Sequence, residues 1–216
     1  MSGYFYLKSS GDDDRLVIQS ALDRSSVLGR GTVVLEGDFF VNGTLYISDY
    51  TTLIIRNGTL TALNKEEPIL TNSNRLLPRI RTLFGTQKGI SILGENGCIS
   101  GKTELVNVCD FLMRGIKICD VDEGVFLAYA TGGRLIDLCF FDVKSCINAA
   151  IGTRNCYFFD INISGEEHSI RFSSNRVDGA VVYYFGPDVT NNIVRGLKSE
   201  KAPEILGEWC VNNIIV

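Results

Sequence analysis

The feature that most constrains this chain is a series of short, apolar-alternating runs separated by Gly, Asn and Asp, which begins after Gly31 and continues to the C-terminus. Thr32-Val33-Val34-Leu35, Phe39-Phe40-Val41, Thr44-Leu45-Tyr46-Ile47, Thr52-Leu53-Ile54-Ile55 and Gly58-Thr59-Leu60-Thr61 open it. Ile90-Ser91-Ile92, Cys98-Ile99-Ser100, Ile116-Lys117-Ile118 and Leu135-Ile136-Asp137-Leu138 follow, then Tyr157-Phe158-Phe159, Val181-Val182-Tyr183-Tyr184 and Ile214-Ile215-Val216. Alternation with period two, broken at turn residues every few positions, predicts an all-β chain of short strands. The one good helix signal precedes the series, over 12–28. Asp12 to Asp14 offer N-cap and first-turn carboxylates, Ile18, Ala21, Leu22 and Ser25 share a face, and Gly29 is a stop.

An antiparallel sandwich and a parallel solenoid both fit such strands, and an internal repeat favours the solenoid. Ile116-Lys117-Ile118-Cys119-Asp120-Val121 aligns with Leu138-Cys139-Phe140-Phe141-Asp142-Val143 and with Tyr157-Phe158-Phe159-Asp160-Ile161, so that Asp120, Asp142 and Asp160 recur at 22 and 18 residues. About 20 residues suit one coil of a right-handed parallel β-helix. Seven or eight coils at the ~4.8 Å strand spacing would make a rod roughly 35–40 Å long. The Asp column reads as a ladder of stacked turn residues, with a stacked acidic site as the alternative. Phe140, Phe141, Tyr157, Phe158 and Phe159 read as core, although alternation sends some outward, where they could stack on a sugar ring or a base.

With 216 residues, the chain is read as a single β-helix domain, 1–216, large enough to need no disulfide or metal staple. Its net charge is −4 and no Lys/Arg cluster stands out, which argues against a nucleic-acid polymer as partner. No apolar run reaches the ~18 residues that span a bilayer, and the first residues lack the pattern of a secretory signal. The seven cysteines include no Cys-x-x-Cys pair and several sit in strand-like runs, as buried, reduced thiols of a cytoplasmic protein would. A single histidine, His168, leaves little scope for a metal site, and no cofactor motif is present. Residues 63–81 are polar with two prolines and read as a loop leaving the rod. Residues 198–216 read as a C-terminal cap or, because the chain stops on an apolar strand, as a homo-oligomer contact.

These residues carry a resemblance. Gly11-Asp12-Asp13-Asp14 followed by Ile18-Gln19-Ser20-Ala21-Leu22-Asp23 resembles the opening of pectin-lyase-like parallel β-helix proteins, whose first helix caps the rod. Gly31-Thr32-Val33-Val34-Leu35-Glu36-Gly37-Asp38-Phe39 is similar to the family's first coil, and Gly89 to Gly101 to a later one. Within that fold the chain resembles polygalacturonase-like glycoside hydrolases and phage tailspike cores. The resemblance implies inverting hydrolysis by paired carboxylates, but the family's motifs are degenerate here. Ser145-Cys146-Ile147-Asn148 stands where Asn-x-Asp is expected, and Gly165-Glu166-Glu167 followed by His168 stands for Gly-Asp-Asp. Arg195-Gly196-Leu197-Lys198 has the wrong spacing for Arg-x-Lys.

Glu166, Glu167 and His168 are therefore the catalytic candidates, and Arg75, Arg79, Arg114, Lys117 and Arg171 the candidate ligands for an anion. Two functions follow. One is a non-catalytic binder of a glycan or anionic small molecule, with a phage accessory or counter-defence role as an associated expectation. The other is a polysaccharide-degrading enzyme of the polygalacturonase or tailspike type. The lost motifs favour binding. Two carboxylates about 6.5–9.5 Å apart in one groove would favour hydrolysis.

Overall fold

In the computed structural model the described residues are 3–73, 86–164, 168–173, 189–206 and 210–216, and they form a parallel β-helix. Every strand pairing among them is parallel, and four stacks of strands can be traced around the rod. Face I holds Gly3–Lys8, Gly31–Glu36, the first half of Thr51–Ala62, the starts of Ser91–Ser100 and Leu112–Ala128, then Arg134–Ile136, Tyr157–Phe159, Ile193–Arg195 and Ile214–Ile215. Face II begins with Phe39–Val41 and ends with Asn162–Ser164. Face III runs from Leu45–Ile47 through Leu70–Asn72, Thr103–Val106, 125–128, 145–149 and His168–Ser173 to Glu204–Leu206. Face IV is a narrow stack of Gln87–Lys88, Val108–Cys109, single bridges at Thr131 and Arg154, Val189–Thr190 and Cys210–Val211.

Alternation supplies the core. On face II, Phe39, Leu60, Ile99, Ile118, Phe140 and Ile163 stack in register with 0–4% exposure. On face I, Val33, Leu53, Ile92, Met113, Leu135, Phe158 and Val194 do the same. Each fully buried side chain of this kind contributes roughly 1.5–3 kcal/mol by leaving water, so the rod is held together by uninterrupted apolar rows rather than by cross-links. All seven cysteines are free. Only Cys146 and Cys156 are buried; Cys98, Cys109, Cys119 and Cys139 are half-buried because strand alternation sends them outward, and Cys210 is half-buried while packing against the core beside Val189.

The corners explain the Gly/Asn/Asp punctuation. Between faces I and II, a residue with positive φ recurs at Gly37, Asn57, Asn96, Gly115, Asp137, Asp160 and Gly196. Before face I the same role falls to Tyr50, Gly89, Asp110, Gly132, Asn155, Asn191 and Asn212. Among residues with a Cβ, Asn and Asp tolerate this left-handed backbone best. The expected Asp120–Asp142–Asp160 column is corrected here. Asp120 and Asp142 are opposite each other after face II, but Asp160 follows face I and lies over Asp137. Both corners need a left-handed residue after an alternating strand, so one sequence pattern fits either. Hydrogen-bonded asparagines occur elsewhere: Asn192 Nδ2 donates to Asn213 Oδ1 at 3.0 Å, and Asn96 Nδ2 to Asn57 Oδ1 at 3.3 Å.

The helix, Arg15–Val27, lies inside the expected 12–28 span and buries Ile18, Ala21, Leu22 and Ser25. Ser25 comes so close to the first coil that a Cβ on Gly31 would sit 2.8 Å from its Cα. The expected carboxylate capping comes from Asp13, whose Oδ1 accepts from Arg15 N at 3.0 Å, and not from Asp14. No acidic residue lies in the first turn, and Asp14 makes no side-chain cap bond. Its buried carboxylate instead accepts from Ser9 Oγ at 2.9 Å, Ser10 N at 2.9 Å, Ser10 Oγ at 2.7 Å and Phe40 N at 3.4 Å, tying the entrance of the helix to the first coil. In the expected 63–81 loop, Leu70–Asn72 is a face III strand, so the chain is back on the rod there, and 74–85 lie outside the described residues. The described parts of 198–216 continue faces III, IV and I rather than folding back.

Candidate functional site

The outer surface of face III carries a registered row of mostly polar side chains. In register along the rod stand Tyr46, Thr71, Glu104, Phe126, Asn148, Arg171 and Glu204. A second row on the same strands aligns Glu123, Ser145 and His168. Lys102, at the corner entering the face, organises the centre. Its Nζ lies 2.5 Å from Glu123 Oε2 and 3.6 Å from Glu104 Oε2, and 5.0 Å above the Phe126 ring. The two carboxylate oxygens are therefore no more than about 6.1 Å apart, short of the roughly 6.5–9.5 Å that inverting hydrolysis uses. Asn148 Nδ2 donates to Glu123 Oε1 at 3.1 Å, while Asn148 Oδ1 and Ser145 Oγ are buried without a hydrogen-bond partner among the described residues. Arg171 Nε is held at 3.1 Å by Glu204 Oε2.

This surface offers acceptors, donors and an aromatic ring. Its five charged side chains, Lys102, Glu104, Glu123, Arg171 and Glu204, sum to −1. Such a mixture suits a ligand rich in hydroxyl groups, since hydroxyls both donate and accept, and it does not suit a polyanion.

The residues singled out from sequence are distributed differently. Arg171 lies on face III, but its charge is met by Glu204. Arg114 points outward from face I, and Lys117 from face II. These three do not converge, because the strand Leu112–Ala128 turns two corners and delivers its residues to three faces. The backbone of His168 pairs with Ser145 on face III. Glu166 and Glu167, with the His168 side chain, and Arg75 and Arg79 lie outside the described residues. Sequence reading missed Lys102, Glu104, Glu123 and Phe126. The signal was hidden because alternation breaks between Glu123 and Phe126, where Gly124 and Val125 are both buried. The same break recurs at Ser145-Cys146-Ile147-Asn148, and finding it twice, 22 residues apart, would have marked the face.

Neither a protein-family profile nor a curated protein matches the sequence. Solved structures do. A mannuronan C-5 epimerase A-module (AlgE6) of Azotobacter vinelandii superposes with a TM-score of 0.59 at 12% identity, over 85% of this chain and 59% of that one. This chain thus spans somewhat more than half of that module. A glycosyl hydrolase candidate from Parabacteroides merdae gives 0.56 at 13% identity, over 98% and 95%. The A-module of AlgE4, another mannuronan C-5 epimerase of A. vinelandii, gives 0.51 at 11%, over 97% and 74%. At such identities the likeness concerns architecture: the chain has the parallel β-helix fold of these carbohydrate-directed proteins.

Proposed function

We propose that this protein binds a glycan along the outer surface of face III, without turning it over. The observation that carries this reading is the Phe126 ring set among Lys102, Glu123 and Asn148. A pyranose laid on the ring would bury its C–H face there and turn its hydroxyls to those groups. Structural neighbours named for work on glycans support the ligand class.

A second reading has one observation in its favour. Glu104 and Glu123 are paired carboxylates bridged by Lys102, and a pair is what acid/base cleavage of a glycosidic bond requires. Titration calorimetry with a panel of neutral and acidic oligosaccharides tests the first reading. Phe126→Ala and Asn148→Ala should each weaken binding about tenfold. Absence of any bound glycan, or binding indifferent to Phe126→Ala, refutes it. New reducing ends that vanish in Glu123→Gln would establish the second reading instead.

A further inference from the structure

The outward surface of face II gathers three thiols around one lysine. Register places Cys98, Lys117 and Cys139 in one outward row, and Ser100, Cys119 and Phe141 in the row beside it. The three cysteines are half-buried and free. Lys117 is exposed, with Cys98 opposite it on the preceding coil and Cys139 opposite it on the following one. Cys119 stands two residues beyond Lys117 on the same strand, so it lies diagonally from both other thiols. It has closed on one of them, with Cys119 Sγ 3.3 Å from Cys98 Sγ. Neither of these two side chains belongs to the apolar core, so core packing does not account for sulfur at both positions.

A dithiol can close on itself or on a third atom. Diagonal neighbours on adjacent strands stand about 7–8 Å apart, whereas a disulfide needs Cα atoms roughly 4.4–6.8 Å apart. Closing this pair on itself therefore requires the backbone of the rod to move. A bridging metal ion needs less. Two metal–thiolate bonds of about 2.3 Å put at most about 4.6 Å between the sulfurs, a modest opening of the 3.3 Å seen here. Thiolates select soft ions. Structural zinc sites and iron–sulfur clusters call for four ligands, and among the described residues no group of three or more metal-ligating side chains converges. A soft monovalent ion such as Cu(I) is satisfied by two. On binding, each thiol gives its proton to solvent and no electron is transferred. Two thiolates and one monovalent ion sum to −1, and the Lys117 ammonium beside Cys98 offsets that charge. Burial, with the hydrogen bond to Cys119, pushes the Cys98 thiol up, so a strongly thiophilic ion is needed to displace its proton.

We infer that Cys98 and Cys119 form a two-coordinate site for a soft monovalent metal ion of the Cu(I) class, with Lys117 as its charge partner. The site lies on a different face from the proposed glycan surface and does not rest on that reading. Anaerobic titration of the reduced protein with Cu(I), against a chromogenic Cu(I) chelator and with native mass spectrometry as the count, tests it. One ion should bind ahead of any other and give a thiolate-to-metal charge-transfer band in the ultraviolet. Cys98→Ser and Cys119→Ser should each weaken that first site at least about a hundredfold and remove the band, while Lys117→Gln should weaken it about tenfold with the band kept. Cys109→Ser and Cys139→Ser, which change the other outward thiols, should leave it intact, and excess Zn(II) should not displace the ion. Metal-free melting curves check that each serine variant folds, and Lys117→Gln alters only an exposed side chain. The inference is overturned if no ion binds first, if the first site survives both Cys98→Ser and Cys119→Ser, if Cys109→Ser or Cys139→Ser alone abolishes it, or if Zn(II) displaces the ion.

Discussion

Adjacent residues of identical chemistry, Phe158 and Phe159, give the sharpest test of the coil geometry. Phe158 is 0% exposed, lies in the inward row between Leu135 and Val194, and meets Phe172 edge to face at 5.9 Å and 80°. Removing its ring deletes a fully buried aromatic and leaves a cavity that stacked coils on both sides cannot readily close, so Phe158→Ala should cost about 3–5 kcal/mol. Phe159 points outward and is half-buried against Tyr157. Half of a full transfer term of ~2 kcal/mol, with little cavity, puts Phe159→Ala at about 1 kcal/mol. Urea denaturation followed by far-UV circular dichroism, with unfolding and refolding curves shown to coincide, measures both. Losses within about 0.5 kcal/mol of each other, or a larger loss at Phe159, would refute the inward–outward assignment and with it the placement of the outward row of face I.

Three further predictions follow from local chemistry. Burial pushes the Asp14 carboxyl upward, but the hydrogen bonds from Ser10, Ser9 and Phe40 outweigh it and hold Asp14 below its ordinary value. A depressed carboxylate stabilises the fold above its unfolded pKa, about 3.9, and that contribution fades as pH falls through the lower folded value. Wild type should therefore lose melting temperature relative to Asp14→Asn only below about pH 4; a constant gap down to pH 2 would sink the latch. Burial, reinforced by the hydrogen bond with Cys119 at 3.3 Å, pushes the Cys98 thiol up to about 12. At pH 8 only about one molecule in ten thousand would hold it as thiolate, so mass spectrometry after brief iodoacetamide treatment should find Cys98 largely unmodified in the native protein and alkylated once unfolded; rapid native alkylation would contradict this. A Cβ on Gly94 would sit 2.2 Å from the Gly115 carbonyl oxygen, a backbone contact with no flexible end to yield. Gly94→Ala should destabilise by more than about 2 kcal/mol, and a change under 0.5 kcal/mol would show that the coils are not packed so closely.

Strand alternation and Gly/Asn/Asp punctuation are local properties, set by side-chain sterics and the left-handed backbone of the corners. The sequence by itself therefore determined the fold class, the short strands, the helix ahead of the rod and most of the inward rows, including Phe140 and Phe158. It also named Arg114 and Arg171, which the strands turn outward. What it left undetermined was phase around the rod. Asp137, Asp160, Asp120 and Asp142 obey one rule at two different corners, so only the stacked strands decide that Asp160 lies over Asp137. The same limit applies to the sites. Lys102, Glu123 and Asn148 are separated by 21 and 25 residues and meet because each coil returns the chain one strand spacing further along. Arg114 and Lys117, three residues apart, end on different faces because a corner at Gly115 lies between them. Proximity across coils depends on how many residues each turn consumes, and that number varies with the insertions. Tertiary stacking alone decided which polar side chains share a surface, and thus which chemistry each face presents.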